Sequence, residues 1–284
     1  MNSTQLATPE DIAVRKLTTD QRKAAAEMQE NEARYLVDQY YQIQEFRKAA
    51  ANQGRSQKDA GEPFVFHGWY TDQLVVLENS IKAALDKFSA NHPLGAAVRE
   101  VTGIGPVIAA GLIAHIDIDK APTAGHIWSF AGLNPTAKWE KGQKRPWNAD
   151  LKVLCYKIGE SFVKVQNNPN DEYGHLFRAY KDELIKKNEE GAFKEAAEHK
   201  LATTKIGKDT EAYKWYSEGK LPPAHIHARA RRWVVKLFLS DYHTAACRIL
   251  KKQEPPVPYV LEHVPGHAHW RIGEWVPTLP STTD

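Results

Sequence analysis

Residues 98–147 constrain the fold more than any other stretch, reading VREVTGIGPVIAAGLIAHIDIDKAPTAGHIWSFAGLNPTAKWEKGQKRPW. They set a Gly-Ile-Gly turn between two apolar helical runs, then a Gly-Leu-Asn-Pro turn, then a basic loop bearing tryptophan. Thr102, Gly103, Ile104 and Gly105 fit the turn of a helix-hairpin-helix unit, because glycine accepts positive φ and lets another chain approach the backbone closely. Pro106 then suits the first position of the next helix, where a missing N–H costs nothing. Free amides at such a helix start, with the helix dipole behind them, make a ready site for a phosphate. The competing expectation is a glycine-rich helix corner that binds nothing, since glycine turns commonly punctuate helices.

A chain of 284 residues with 42% hydrophobic composition has room for one large domain or two ordinary ones, each with a core of its own. The net charge of +3 is too small to identify a polyanion partner, so the placement of charge decides. Cys155 and Cys247 stand without metal-type spacing, which predicts neither a disulfide scaffold nor a zinc ribbon and fits a reducing compartment. Residues 1–16 lack the apolar core of a signal peptide, and no apolar run is long enough to span a bilayer. The expectation is a soluble, cytoplasmic protein with no membrane partner. His225, His227, His243, His263, His267 and His269 are scattered without cysteine or paired carboxylates, so no metal site is expected. No Gly-rich nucleotide fingerprint, nucleophile elbow or carboxylate pair stands out, so no cofactor and no catalytic residue is assigned.

Thr8-Pro9-Glu10-Asp11 has the proline and acids of a helix start, and Thr19-Asp20 opens a second run to about residue 52. Ala33, Leu36, Val37, Tyr40, Ile43 and Phe46 keep three- and four-residue spacing, a stripe that needs either the next helix or another copy of the chain. Residues 54–63 (GRSQKDAGEP) read as a polar hinge. Leu74, Leu77, Ile81, Ala84, Leu85 and Phe88 trace a second amphipathic helix ended by Asn91-His92-Pro93. The two make an antiparallel hairpin, structural or dimerising. Further on, Leu151, Leu154, Ile158 and Phe162 mark a core-facing helix ended by Asn167-Asn168-Pro169-Asn170. Residues 173–220 are densely charged and read as a mostly solvated helical face, with an inserted arm as one arrangement. Leu221-Pro222-Pro223 breaks the pattern before a long helix from about residue 224 to 252, and a proline-rich tail follows in which Pro265-Gly266 can turn a short hairpin.

Two basic surfaces stand out. The loop carries Lys138, Lys141, Lys144, Arg145 and Lys152 against Glu140 and Asp150, with Trp139 and Trp147 interleaved. Mobile cations beside exposed aromatics are what a sugar–phosphate backbone and an unstacked base need. The alternative is a solvated loop whose tryptophans fold back into the core. In the late helix, His225, Arg229, Arg232, Lys236 and His243 advance by helical steps into one narrow stripe free of acids, suited to tracking phosphates. Ile226, Ala230, Trp233, Val234 and Leu237 fill the adjoining face as a packing surface.

Several of these residues occur together elsewhere. The turn 101–106, the following Ala109-Ala110-Gly111-Leu112-Ile113-Ala114, Phe130-Ala131-Gly132-Leu133-Asn134-Pro135, Gly142-Gln143-Lys144-Arg145 and Asn148 resemble the C-terminal half of insertion sequence 110/116/902 family transposases, which are RNA-guided recombinases. The resemblance implies a preceding coiled coil, where the helical hairpin sits here. That family also has a RuvC-like half with metal-binding acidic residues on strands, and a nucleophilic serine after the Gly-Leu-x-Pro turn. Here the first hundred residues read as helix, and the stretch after the turn is Thr136-Ala137-Lys138-Trp139-Glu140-Lys141-Gly142, with no serine. The helical hairpin followed by the basic segment Pro222-Pro223-Ala224-His225-Ile226-His227-Ala228-Arg229-Ala230-Arg231-Arg232 is similar to Nop domains, as in the Tas proteins of tandem-guide-RNA systems. This likeness implies guide-RNA binding.

The expected fold is all-α: a helical hairpin over residues 1–93, a compact helix-hairpin-helix-containing, Nop-like domain over 94–252, and an extended tail over 253–284. The expected function is binding of structured or guide RNA, and of DNA through it, without a nuclease of its own. Thr102, Gly103 and Gly105 present amides; Lys138, Lys141, Lys144, Arg145 and Lys152 neutralise backbone; Trp139 or Trp147 stacks on a base. His225, Arg229, Arg232 and Lys236 grip a second segment. Expected partners are RNA or DNA, a second copy through the N-terminal helices, and a separate nuclease. The alternatives are a divergent transposase or recombinase acting in DNA transposition, and a non-catalytic dimerising scaffold whose basic faces are merely solvated.

Overall fold

The computed structural model describes residues 14–62, 65–258 and 273–279. The expected helix start at Thr8 and the Pro265-Gly266 turn lie outside them, as do His263, His267 and His269. Among the described residues all regular structure is helical and no strand forms, as the sequence predicts. The chain divides into two compact units, one of Met1–Arg99 with Gly105–Asp117, the other of Glu100–Ile104 with Ile118–Asp284.

The first unit contains α1 (Thr19–Ala24), α2 (Glu30–Asp59), α3 (Val65–Asn91), α4 (Pro93–Val98) and α5 (Pro106–His115). Thr18 and Gln21 close α1 with a reciprocal capping box. The run expected from Thr19 to about residue 52 is broken at Ala25–Glu27 by a 3-10 turn, and α2 begins afresh after Gln29. The hinge expected at 54–63 is also displaced, because α2 continues to Asp59. Glycine in a helix costs only about 1 kcal/mol, and at Gly54 the His67 ring fills the space of a side chain, 2.6 Å from where a Cβ would stand. The helix stops instead at Gly61 (φ +74°), whose N–H donates to Lys58 O while the Glu62 N–H donates to Gln57 O.

The stripe on α2 finds its partners within its own chain. Ala33, Val37 and Ile43 pack with Ile81, Leu85 and Phe88 of α3 and with Val107, Ala110, Ile113 and Ala114 of α5. Because α5 is apolar on every side it requires burial all round, and Val107 and every residue from Ala109 to His115 is buried. Arg34 Nε–H donates to Ala114 O (2.8 Å), satisfying a carbonyl that the end of α5 would otherwise orphan. The first unit includes α4 and α5 as well as the hairpin. Phe46, which the stripe includes, is 57% exposed.

The second unit is built around α11 (Pro223–Ala246), against which α6 (Ala124–Phe130), α7 (Ala149–Val165) and α8 (Glu172–Glu189) pack; α9 (Lys194–Thr203) and α10 (Glu211–Ser217) pair with each other. Phe162, Tyr173 and Phe238 meet at ring separations of 4.9–5.4 Å in its core. Far from being only a solvated face, α8 buries Tyr173, Phe177, Leu184 and Asn188. The Asn188 amide exchanges two hydrogen bonds with the backbone of Leu221, at 2.8 and 3.0 Å. The charge density of that segment conceals a helical stripe at positions 173, 177, 184 and 188. The late helix ends at Ala246 rather than near 252, passing into a π turn over Cys247–Lys251 that closes with Lys252 in the left-handed region (φ 54°). Among the described residues no helix is long and apolar enough to cross a membrane.

Candidate nucleic-acid interface

The basic loop stands on a fixed base. Where α6 ends, Gly132 N–H donates to Ser129 O (3.1 Å) and Leu133 N–H to Trp128 O (2.8 Å), with Gly132 at φ +64°. This Schellman closure is the physical content of the Gly-Leu-Asn-Pro motif. A Cβ on Gly132 would lie 2.8 Å from Trp147 Cγ, so the glycine also seats the indole. Asn134 Oδ1 then accepts hydrogen bonds from the Thr136 N–H and hydroxyl, at 3.0 and 2.8 Å, in a local turn. At the other end Asn148 N–H donates to Phe130 O (2.8 Å), and Asn148 Oδ1 accepts the Leu151 N–H (2.8 Å) as the cap of α7. The loop over residues 131–147 thus rises from two ends tied together.

Lys138, Lys141, Lys144 and Arg145 are exposed, and among the described residues none pairs with a carboxylate. Trp139 is 40% exposed; its indole N–H donates to Gln143 O (2.8 Å), and the Arg145 guanidinium lies 5.1 Å from its ring centre. Trp147 turns inward and is half-buried, with the Lys152 ammonium 4.1 Å from its ring centre. One tryptophan is therefore presented by the loop and the other is seated at its base.

The basic stripe of α11 divides in the structure. His225 Nδ1 shares a hydrogen bond with the Tyr216 hydroxyl (3.0 Å). Burial, then the charges of Arg232, Arg229 and Lys200, hold its imidazole below the ordinary histidine value, so it adds no charge at neutral pH. Arg229 is exposed and stacks on Phe193 at 4.8 Å. Lys236 sits over Trp128 at 5.7 Å, and the Trp128 indole N–H donates to Lys236 O (3.0 Å). Burial and the neighbouring Arg232 lower the Lys236 ammonium's pKa. His243 leaves the stripe altogether: it is buried, with Nε2 bonded to Ala121 O at 2.8 Å, because the helix carries its last turns into the core.

Arg232 meets the loop. A cavity of about 630 Å³ is lined by Arg145, Trp147, Lys152, Tyr156, Arg231 and Arg232, among others, with Asp150 as its one carboxylate. Tyr156 has no place in the basic surfaces read from the sequence, and Arg231 enters there only within the segment 222–232. Arg231 lies across Gly159, pairs with Glu160 and rests 4.1 Å from the Tyr156 ring centre. A usable signal existed: Lys152 and Tyr156 are one turn apart on a helix whose core face is Leu151, Leu154 and Ile158, which leaves the tyrosine on the outer face.

Thr102 and Gly103 lie in the second unit, whereas Gly105 and α5 lie in the first. Gly103 (φ +95°) rests on Ser161, Phe162 and Val165 of α7, with its carbonyl accepting the Ser161 hydroxyl (2.6 Å). The Thr102 hydroxyl donates to Asn170 O (3.0 Å). The cavity occupies the start of α7 and the Gly103 turn its end, about 15 Å away along the axis at 1.5 Å per residue. The structure therefore joins the loop to α11 in one cavity but does not bring Gly103 to it.

Among the described residues no three His, Cys, Asp or Glu side chains form a group that could hold a metal ion. No curated protein and no solved structure matches the chain. Residues 95–145, running from α4 through α5 and α6 to Arg145 of the basic loop, match the family model of the Transposase IS116/IS110/IS902 family.

Proposed function

We propose that the second unit binds a structured RNA, used as a guide toward DNA, and performs no strand chemistry itself. The observation that carries this reading is the cavity in which Arg145, Trp147 and Lys152 meet Arg232 of α11, four cations counting Arg231 against one carboxylate. Cations with aromatic rings between them suit a nucleic-acid backbone with unstacked bases. Lys138, Lys141 and Lys144 extend the positive surface, Trp139 offers a second ring, and Arg229 and Lys236 continue it along the helix, with His225 as a neutral polar contact beyond them. Thr102, Gly103 and Gly105 are proposed as a separate backbone contact. The Nop-like likeness of residues 222–232 supports the choice of RNA. A separate nuclease would supply any cleavage.

The test is RNA binding by the full chain across a salt series. Replacing Arg145, Lys152 and Arg232 together by alanine is expected to weaken binding and to flatten the slope of log affinity against log salt by roughly 2–3 units, about one per lost phosphate contact. An unchanged slope removes the cavity from the interface.

The family match favours a second reading, a component of DNA transposition that binds element ends. Acting with a separate nuclease, it predicts divalent-metal-dependent nicking of DNA carrying those ends in the absence of a guide RNA, which the RNA reading does not. We propose in addition that α2 and α3 dimerise, supported by the exposed Tyr35, Phe46, Phe66, Trp69 and Tyr70 on those helices. Sedimentation of the full chain as a monomer would remove that proposal.

A further inference from the structure

We infer that the cavity between the start of α7 and Arg231–Arg232 takes one unstacked nucleotide, its base against Tyr156 and Trp147 and its phosphate on Arg145, Lys152 and Arg232. This rests on the RNA-binding reading and deepens it, because it says which part of an RNA the unit selects. The volume of about 630 Å³ falls in the range of sites that enclose a small molecule, roughly 300–1,000 Å³. It is far too small for a duplex and adequate for a single nucleotide.

The walls divide the work. Tyr156 is 51% exposed, yet its ring is backed at 4.1 Å by Arg231, which Glu160 holds in place. A ring held by a paired cation on one side and open elsewhere is a stacking platform for any base. Trp147 is fixed against Gly132, where no side chain fits, and is covered by Lys152. Lys152 is exposed and makes no ion pair among the described residues, so its ammonium is free to leave the indole and meet a phosphate as a base replaces it. Arg145 stands at the loop end, and Arg232 is exposed on α11. Arg231 is committed to Glu160 and Tyr156 and serves as support. Ring faces and phosphate-directed cations act alike on every base, so the selection is for an unpaired nucleotide.

The experiment compares three labelled RNA hairpins with identical stems: one with a single bulged nucleotide, one with an abasic bulge, and one fully paired. The full chain is expected to bind the bulged RNA about tenfold more tightly than the other two, the scale of one base stacked on an aromatic ring. Tyr156→Ala should erase that preference and Tyr156→Phe keep it. Trp147→Ala should also erase it; should that variant fail to fold, Tyr156→Ala, at an exposed position, still decides. Equal binding of all three RNAs overturns the nucleotide pocket alone and leaves RNA binding standing. Binding of none overturns both. Saturation by a free nucleoside 5′-monophosphate at the affinity of the bulged RNA would reassign the cavity to a mononucleotide and overturn the proposal as stated.

Discussion

Gly174→Ala will lower the melting temperature of the second unit, although the position lies inside a helix where alanine is normally the better residue. Helix propensity alone favours alanine by about 1 kcal/mol. Against that, a Cβ at Gly174 would overlap Asp171 Oδ2 and stand 2.6 Å from Gln166 Cα and 2.7 Å from Phe162 O. Two of those neighbours are backbone of the α7 end and cannot swing aside. Overpacking of this kind costs about 1–3 kcal/mol, and more when backbone must move. The expected net loss is about 2 kcal/mol, or roughly 4–8 °C for a unit of this size. Gly68→Ala in α3 is the control, since a Cβ there meets nothing within 4 Å, and it should leave the melt unchanged or raise it. A Gly174→Ala melt at or above that of the parent protein would show that α7 and α8 are not held as closely as described.

The second large effect is one of pH. Asp241 lies in the core with its carboxylate accepting the Tyr173 hydroxyl (2.6 Å), which in turn accepts the Trp275 indole N–H (2.7 Å). Burial pushes its pKa up to about 7 from the ordinary 3.8. The folded state therefore holds a proton between about pH 4 and pH 7 that the unfolded chain has released. Stability is greatest below that window and declines as pH rises through it, by about 4 kcal/mol if the whole shift is expressed. Asp171 and Glu172 are raised by the same cause and add a smaller slope of the same sign. His225, His227 and His243, all held below the usual histidine value, act in the opposite direction at acid pH. Asp241→Asn isolates the one contribution, because the other groups are common to both proteins. Denaturation at pH 5 and pH 8 should show the parent losing stability relative to the variant by a few kcal/mol. Parallel behaviour of the two would mean that Asp241 is ionised or hydrated in the folded protein.

What could be read from the sequence was set by periodicity and by chemistry local to a few residues. The stripes of α2 and α3 and the Leu151–Phe162 face of α7 follow from helical spacing alone, and the α3 stop at Asn91 from the Asn-His-Pro signal. The glycine after α6 follows from turn chemistry, since a left-handed closing residue favours glycine. Where an apolar run has no polar face, spacing identifies a buried helix but not what buries it, and α5 went to the first unit for that reason. The loop's cations were legible as cations. Their meeting with Arg232 was not, since α7 and α11 are brought together by residues far apart in the chain, such as Phe162 with Phe238 and Glu160 with Arg231. His225 was legible as a basic type, but Tyr216 and the surrounding arginines decide that it stays neutral. Asp241 gave no signal in a helix otherwise read by its arginines and its apolar face.

The path of the chain has a practical consequence for synthesis and for dissection. The apolar side chains that α2 and α3 turn toward α5 stay uncovered until Pro106–His115 has been made. A fragment stopping at residue 93 would uncover the sides of Val37, Leu85 and Phe88 that pack toward α5 and invite association through that face. Any excised N-terminal piece should run through Asp117, carrying the first half of the transposase-like segment with it. That segment is thereby committed twice, its early part to the hydrophobic interior of one unit and its later part to α6 and the charged loop of the other.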